Sequence, residues 1–320
     1  MKWTVEEGTD RERLDRHVAR ELGVPRHQIQ AWIEAQRVAV DGEPRKASFA
    51  VEPGMSIEAV APEPEAGTLI AETGDLKVIF EDEHLVILDK PAGLTVHPGS
   101  GRPTGTLVHR LLGRYPEIAT VGSATRPGIV HRLDKDTTGL MVVARSALAY
   151  QKLTAALSGR EMRKEYLALA YGRPRQDQGT IELPIGRHPQ KRVEMSVRAD
   201  GREARTDFRT LDSAEGIAWL HLRLHTGRTH QIRVHLRAIG HPLVGDPVYG
   251  AARWRGLVGP ARALLAEFPR PALHAWRLGF LHPASGEALA FEAPLPADLV
   301  GLWLGATGRP LPEPPQPLPR

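Results

Sequence analysis

With 320 residues, 41% of them hydrophobic and 25% charged, the chain is long enough for one substantial core and a small additional domain, and its composition excludes a fibrous or wholly disordered protein. Its formal net charge is only +4 at a pI near 9.5, so attraction to a polyanion has to come from local clusters of Lys and Arg rather than from a global field. Cysteine is absent, which excludes disulfides, thiolate nucleophiles and Cys-ligated zinc together.

The start, MKWTVEEGTD, lacks the apolar segment of a secretory signal, and no run of about 18 apolar residues occurs anywhere, so a cytoplasmic protein without a membrane segment is expected. From Arg13 to Gln36 the apolar positions Leu14, Val18, Leu22, Ile29, Trp32 and Ile33 predict two short helices punctuated by GVP at 23–25. RVAVDGEP then alternates and turns at Asp41–Gly42, a hairpin signal. Residues 1–62 are thus expected to form a small α/β domain whose outward charges include Arg13, Arg16, Arg26 and Arg37. Such a face is ordinarily only solvated surface.

Residues 63–75, acidic and punctuated by Pro and Gly, predict a linker. A second domain is expected over 76–303. LKVIF, LVILDKP, GLMVVARS, KEYLALAYG, GTIELPIG, REARTDFRTLD and IAWLHLRLHTG read as strands, and HAWRLGFLHPASGEALAFEAPLP as a hairpin turning at Pro283–Gly286. Ser146 is placed to cap a helix ending at Gly159. Strands outnumber helices and mostly adjoin one another, so the fold class is α+β, a largely antiparallel mixed sheet with flanking helices. The last segment, 304–320, contains ATGRPLPEPPQPLPR and is expected to be too Pro-rich to pack.

The stretch GIVHRLDKDTTGLMVV, residues 128–143, sets His131, Arg132, Asp134, Lys135 and Asp136 between apolar runs. A lone Asp in a loop is usually a turn residue or half of a structural ion pair, but a carboxylate held between buried strands needs a partner. LHTGRTHQIRVHLRAIGHPLVGDPVYG, downstream, offers one: Thr226 or Thr229 can start a helix whose Ile232, Leu236 and Ile239 are buried, leaving Arg228, His230, Arg233 and Arg237 for a cleft. The histidines at 225, 230 and 235 invite a metal reading. A five-residue step turns a helix by about 140°, so His230 and His235 do not converge, and no metal is expected.

KPAGLTVHPG (90–99), GIVHRLDKDTTGLMVVAR (128–145), KEYLAL (164–169), TGRTHQIRVHL with GHPLVGDPVYG (226–250) and ALHAWRLGFLHP (272–283) occur in the order seen in the RluA family of RNA pseudouridine synthases, which the chain resembles from Arg13 to about Leu302. Residues 13–60 resemble the small RNA-binding domain of the ribosomal protein S-four type. Agreement around GRHPQKRVEM (186–195) and GDPVYG is most like the D type, which modifies large-subunit ribosomal RNA. The resemblance implies isomerisation of uridine to pseudouridine within RNA, breaking N1–C1′ and forming C5–C1′, with no cofactor, metal or membrane. The implied partner is large-subunit ribosomal RNA or a pre-ribosomal particle.

By the same resemblance Asp134 is the catalytic carboxylate, attacking C1′ or removing a ribose proton. Arg233 is the arginine paired with it, through a bidentate fork that favours the ionised form. Tyr166, which on a strand is more often core, lines the uracil pocket. Arg132, beside His131, enters the RNA stack where the target uridine has left it. Lys90, His97, Arg228 and Lys191 are candidate phosphate contacts. Asp246 reads as a turn or capping residue. Two rivals are a two-magnesium nuclease built on Asp134, Asp136 and Asp246, and a non-catalytic RNA-binding assembly factor.

Overall fold

In a computed structural model the described residues are 1–6, 8, 11–24, 26–61, 69–99, 102–191, 193–250, 253–257 and 260–313. The chain divides into two compact units, Met1–Thr68 and Leu69–Arg320.

The first unit contains strands β1 (Lys2–Thr4) and β2 (Glu12–Arg13), helices α1 (Leu14–Leu22) and α2 (Arg26–Glu34), and strands β3 (Val38–Val40), β4 (Glu43–Pro44), β5 (Ala50–Val51) and β6 (Ser56–Ala59). Its main sheet runs β1-β6-β3-β4, and β2 pairs with β5. The β3–β4 hairpin turns where expected: Asp41 and Gly42 both have positive φ, 54° and 82°, the geometry of the tight turn that matches strand twist. Leu14, Val18, Ile29 and Ile33 from the helices close over Val38, Val40 and Ile57. Beside them lies a fully buried carboxylate, Asp15, held by Arg13, Arg26 and Gln30 at 2.7–3.2 Å.

The second unit begins with β7 (Val78–Glu81), β8 (Leu85–Lys90), α3 (Leu107–Arg114), β9 (Gly122–Ser123), β10 (Arg126–Pro127), β11 (Thr138–Ala144) and α4 (Ala147–Ser158). It continues through β12 (Arg163–Tyr171), β13 (Gln178–Glu182), β14 (Ile185–Arg187), β15 (Met195–Val197), β16 (Arg205–Ala214), β17 (Ile217–Leu224) and α5 (Gln231–Ala238). The last elements are α6 (Pro260–Glu267), β18 (Leu273–Leu281), β19 (Ala288–Glu292) and α7 (Ala297–Thr307). A nine-stranded sheet runs β13-β16-β17-β12-β18-β11-β8-β7, with β19 on β18. Among the described residues only β11 and β18 pair in parallel, so the expected α+β fold with a largely antiparallel mixed sheet is what the chain adopts. Ser146 caps α4, its Oγ accepting the Ala149 N–H at 3.2 Å.

Three local expectations are corrected. Of the predicted linker, residues 63–68 lie outside the described residues, while the chain from Leu69 is fastened to the second unit. Leu69 and Leu76 pack against its core, and the Glu72 carboxylate accepts the Gly105 N–H at 3.0 Å. The segment after residue 304 is packed through Leu311: the Trp303 indole donates to the Pro310 carbonyl at 3.0 Å, Arg309 pairs with Asp212 at 3.2 Å, and Leu311 joins the core around Trp219. Proline removes donors but not apolar contacts, so a Pro-rich segment beside a Trp still docks. Residues 314–320 of that segment lie outside the described residues. Finally, α5 starts at Gln231, later than either threonine proposed. Thr226 instead donates to the Gln231 side chain, which also accepts the Arg228 N–H.

Candidate active site

The loop carrying Asp134 runs from the end of β10 into β11, above the place where β11 and β18 meet. Gly139 at the start of β11 has φ 111°, and a Cβ there would lie 2.1 Å from the Ala275 carbonyl oxygen, so only glycine allows this approach. The loop is held from below by two cations on its carbonyls. Lys90, 1% exposed, donates to the carbonyls of Pro91, Leu94 and Lys135 at 2.7–3.0 Å. Arg270 reaches the Asp136 carbonyl at 3.4 Å while its other nitrogens clasp Asp298.

Asp134 faces α5. Arg233 donates from Nη1 to Asp134 Oδ2 at 3.1 Å, but its fork, Nε and Nη2, closes on Asp246 at 2.7 and 2.9 Å. The expected bidentate partner is therefore Asp246 rather than Asp134. Asp246 also accepts the N–H groups of Val248 and Tyr249. Burial pushes the Asp246 carboxyl up, yet Arg233 and these amides outweigh it and hold it below its usual range. Arg233 stacks on the Tyr249 ring at 4.9 Å, and Tyr249 Oη accepts the Met195 N–H and meets His230 Nδ1. His230, at φ 55°, brings Nε2 to 3.9 Å from Asp134; burial lowers its pKa, which favours the neutral ring.

Tyr166, in the middle of β12, faces the same space, a cleft of about 600 Å³. Burial first and the Asp134 charge second push its phenol well above the ordinary value, so it stays protonated. Asp134 is the sole carboxylate among the described residues lining this cleft, against Arg126, Arg132, Arg160, Lys164, Arg202, Arg228 and Arg233. One acid in a basic concavity with an aromatic wall is chemistry for a polyanion carrying a flat base. A guanidinium fills the space between Asp134 and Asp246, where a two-metal centre would need cations. Among the described residues, no three His, Asp or Glu side chains are grouped to hold a metal.

A model of the RNA pseudouridylate synthase family matches residues 84–238, and an S4 domain model matches 12–57. The ribosomal large subunit pseudouridine synthase D of Nitrosomonas europaea is 47% identical over 293 residues, covering 91% of this chain and 83% of that protein. The chain belongs to the RluA family of RNA pseudouridine synthases. The Escherichia coli K12 protein of the same name as the Nitrosomonas one is 44% identical to this synthase over 304 residues, covering 93% of this chain and 92% of that protein. Among solved structures, human RNA pseudouridylate synthase domain containing 1 is similar, with a TM-score of 0.55 at 26% identity over 70% of this chain and 86% of that one. The synthase isomerises uridine in RNA, and its first unit is an RNA-binding domain.

The fold brings Asp134, Arg233, Tyr166, Arg132, His131, His97 and Arg228 to the cleft. Arg132 is exposed, with Nη1 3.3 Å from His97 Nε2. Arg228 lines one wall, its Nε donating to the Glu203 carbonyl at 3.0 Å. Two of the expected RNA contacts have other work. Lys90 is walled in by its carbonyls, leaving no ammonium face for a phosphate. The His131 Nε2 accepts the Val142 N–H at 3.1 Å, and burial pushes its pKa down to about 3, so it is a neutral strut. Burial, with Arg132 and Arg126 adding to it, likewise lowers His97 to about 4.

Lys191 is exposed away from the cleft and paired with Glu194 at 2.9 Å. Arg237, considered for the cleft, is exposed outside it over Tyr249. The histidines at 225, 230 and 235 part company: His225 goes to Asp207, His230 to Tyr249, and His235 to Thr206 and the Leu183 carbonyl. In the first unit Arg13 and Arg26 are committed to Asp15, while Arg16 and Arg37 are exposed with no ion-pair partner among the described residues.

Sequence reasoning missed Arg126, Arg160, Arg202 and Lys164 as cleft residues and Asp246 as the holder of Arg233. For Lys164 a signal existed: on a strand, a residue two before Tyr166 shares its face. For Asp246 and the arginines from surrounding loops there was none of that kind.

Proposed function

We propose that this synthase converts uridines of large-subunit ribosomal RNA to pseudouridine, with Asp134 as the reacting carboxylate. The observation that carries the residue assignment is the chain Asp134–Arg233–Asp246 at the end of a basic cleft in which Asp134 is the only lining carboxylate among the described residues. The RNA class is supported by the names of the similar D-type proteins and by GRHPQKRVEM and GDPVYG. Those two segments adjoin: Met195 on β15 donates to Tyr249, the residue stacked on Arg233.

On this reading the uridine leaves its stack, Arg132 takes the vacated place, and uracil lies against Tyr166 with its C1′ toward Asp134. Arg233 supplies positive charge and direction to the carboxylate as the N1–C1′ bond breaks. The base turns, C5–C1′ forms, and the proton lost from C5 is matched by one gained at N1, so that the product is an isomer of the substrate. We place this work in the cytoplasm, on the ground of the RNA substrate alone. The test is the pseudouridine content of large-subunit transcripts incubated with wild type and with Asp134→Asn. Pseudouridine from the wild type only, with RNA binding by both, is expected. Binding by both and isomerisation by neither, on any large-subunit fragment, overturns the substrate assignment, and equal activity overturns Asp134.

A further inference from the structure

Lys164 is an ammonium in an unusual position. It lies on β12 two residues before Tyr166, on the same cleft-facing side of the strand, while Glu165 between them points to the opposite face and is buried with His221. Lys164 is half-buried, and among the described residues no carboxylate, carbonyl or hydroxyl is within bonding distance of it. Its Nζ reaches the turn before α5, 3.8 Å from where a Cβ of Gly227 would stand, next to Arg228.

Lys164 and Arg228 thus line the same cleft, and the Lys164 ammonium stands in the field of the Arg228 charge with no acid set against it. Burial, and then the Arg228 charge, push the Lys164 pKa down to about 8, the direction expected of a cation held near another without an acid. The more deeply buried cations Lys90 and Arg233 do have partners, three carbonyls for the first and two carboxylates for the second. A like-charged, partly desolvated pair is unfavourable in the free protein and becomes favourable when an anion enters.

We propose that Lys164, with Arg228 beside it, docks the phosphodiester of the nucleotide whose base enters the cleft. The inference rests on the reading that uridine is received against Tyr166 and Asp134. Two residues of strand span about 7 Å, so the cation and the aromatic wall are separated on the scale of one nucleotide. Uracil is neutral, and to a cation it offers no more than carbonyl dipoles. The phosphate is the group of that nucleotide whose charge two converging cations would select.

The experiment uses the full chain and RNA oligonucleotides containing one target uridine, with a single neutral methylphosphonate placed in turn at each linkage around it. For the wild type, one linkage adjacent to the uridine is expected to weaken binding about tenfold or more when neutralised. Lys164→Gln is expected to weaken binding of all-phosphate RNA by a similar factor, to lose about 0.7 from the salt slope, and to respond far less than wild type to that one methylphosphonate, with Arg228 still in place. Lys164→Arg is expected to restore most of the affinity and the linkage sensitivity. If no adjacent linkage matters to the wild type, or if Lys164→Gln remains as sensitive as the wild type to the same linkage, the proposal is overturned. The wild-type scan needs no variant, so poor folding of Lys164→Gln does not shield it. A wild type that binds but forms no pseudouridine on the all-phosphate RNA overturns the uridine-receiving reading and this proposal with it. An active wild type with no linkage dependence overturns this proposal alone.

Discussion

Arg233 divides its hydrogen bonds unequally, two to Asp246 and one to Asp134, and on the proposed reading of Asp134 the division separates stability from chemistry. Asp246 is buried and accepts two backbone amides as well, so its carboxylate fixes where the guanidinium points. The Asp134 side chain is 20% exposed and has room for substrate. Asp246→Asn leaves a buried cation short of its main counter-charge and is expected to destabilise the fold by about 3–5 kcal/mol. Asp134→Asn removes a charge at a partly exposed edge but keeps an amide oxygen that can accept from Arg233, and is expected to change stability by about 1 kcal/mol or less while abolishing isomerisation. Chemical denaturation of the two variants measures the contrast, and a larger loss for Asp134→Asn would refute it. The carboxylate and its arginine were legible from HRLDKD and QIRVH. The second carboxylate was not, because in GDPVYG it reads as any turn aspartate.

Within elements, α1 shows how an apolar stripe can hide a charge. Leu14 and Val18 follow helical spacing, and the position between them in space is filled by Asp15 and His17, both buried. Burial pushes the Asp15 carboxyl up, but hydrogen bonds from Arg13, Gln30 and Arg26 outweigh it and hold the group well below the usual carboxylate range. A carboxyl depressed in the folded state and near 3.9 in the unfolded chain contributes stability that is fully present above about 3.9 and is lost as pH falls through the lower folded value. Hydrogen exchange of the α1 amides is therefore expected to be faster in Asp15→Asn than in wild type by a factor that is constant from about pH 7 to 5 and shrinks only below about pH 4. A factor that vanishes already at pH 6 would show that Asp15 is not the origin. The same pairing explains why the basic face read from the sequence is smaller in the folded domain, where Arg16 and Arg37 remain unpaired among the described residues.

For the whole molecule, the RNA-binding unit and the catalytic unit are separate bodies of fold, so removing residues 1–68 is expected to spare the second. RNA affinity should fall and its salt slope shrink by about 0.7–0.9 for each phosphate the first unit neutralises, with pseudouridine still formed at high RNA concentration. A salt titration giving an unchanged slope would remove the first unit from substrate binding. Most strands and the helices α1, α2, α4 and α5 were legible in the sequence, as periods of two and 3.6 are local properties of the chain. So were Asp134, Arg233 and Tyr166, because they sit in motifs. Helices α3, α6 and α7, the β14–β15 hairpin and the docked segment around Pro310 were not, their apolar patterns being short or interrupted. What only the tertiary structure decided is which charge meets which: Lys90 closed on carbonyls, His131 turned neutral, Arg233 given to Asp246, and Lys164 left facing the cleft. A charged side chain takes its state from the donors and acceptors within about 3 Å. Here those neighbours come from strands and loops up to some hundred residues away, brought together by a sheet order, β12-β18-β11-β8, that no local pattern encodes.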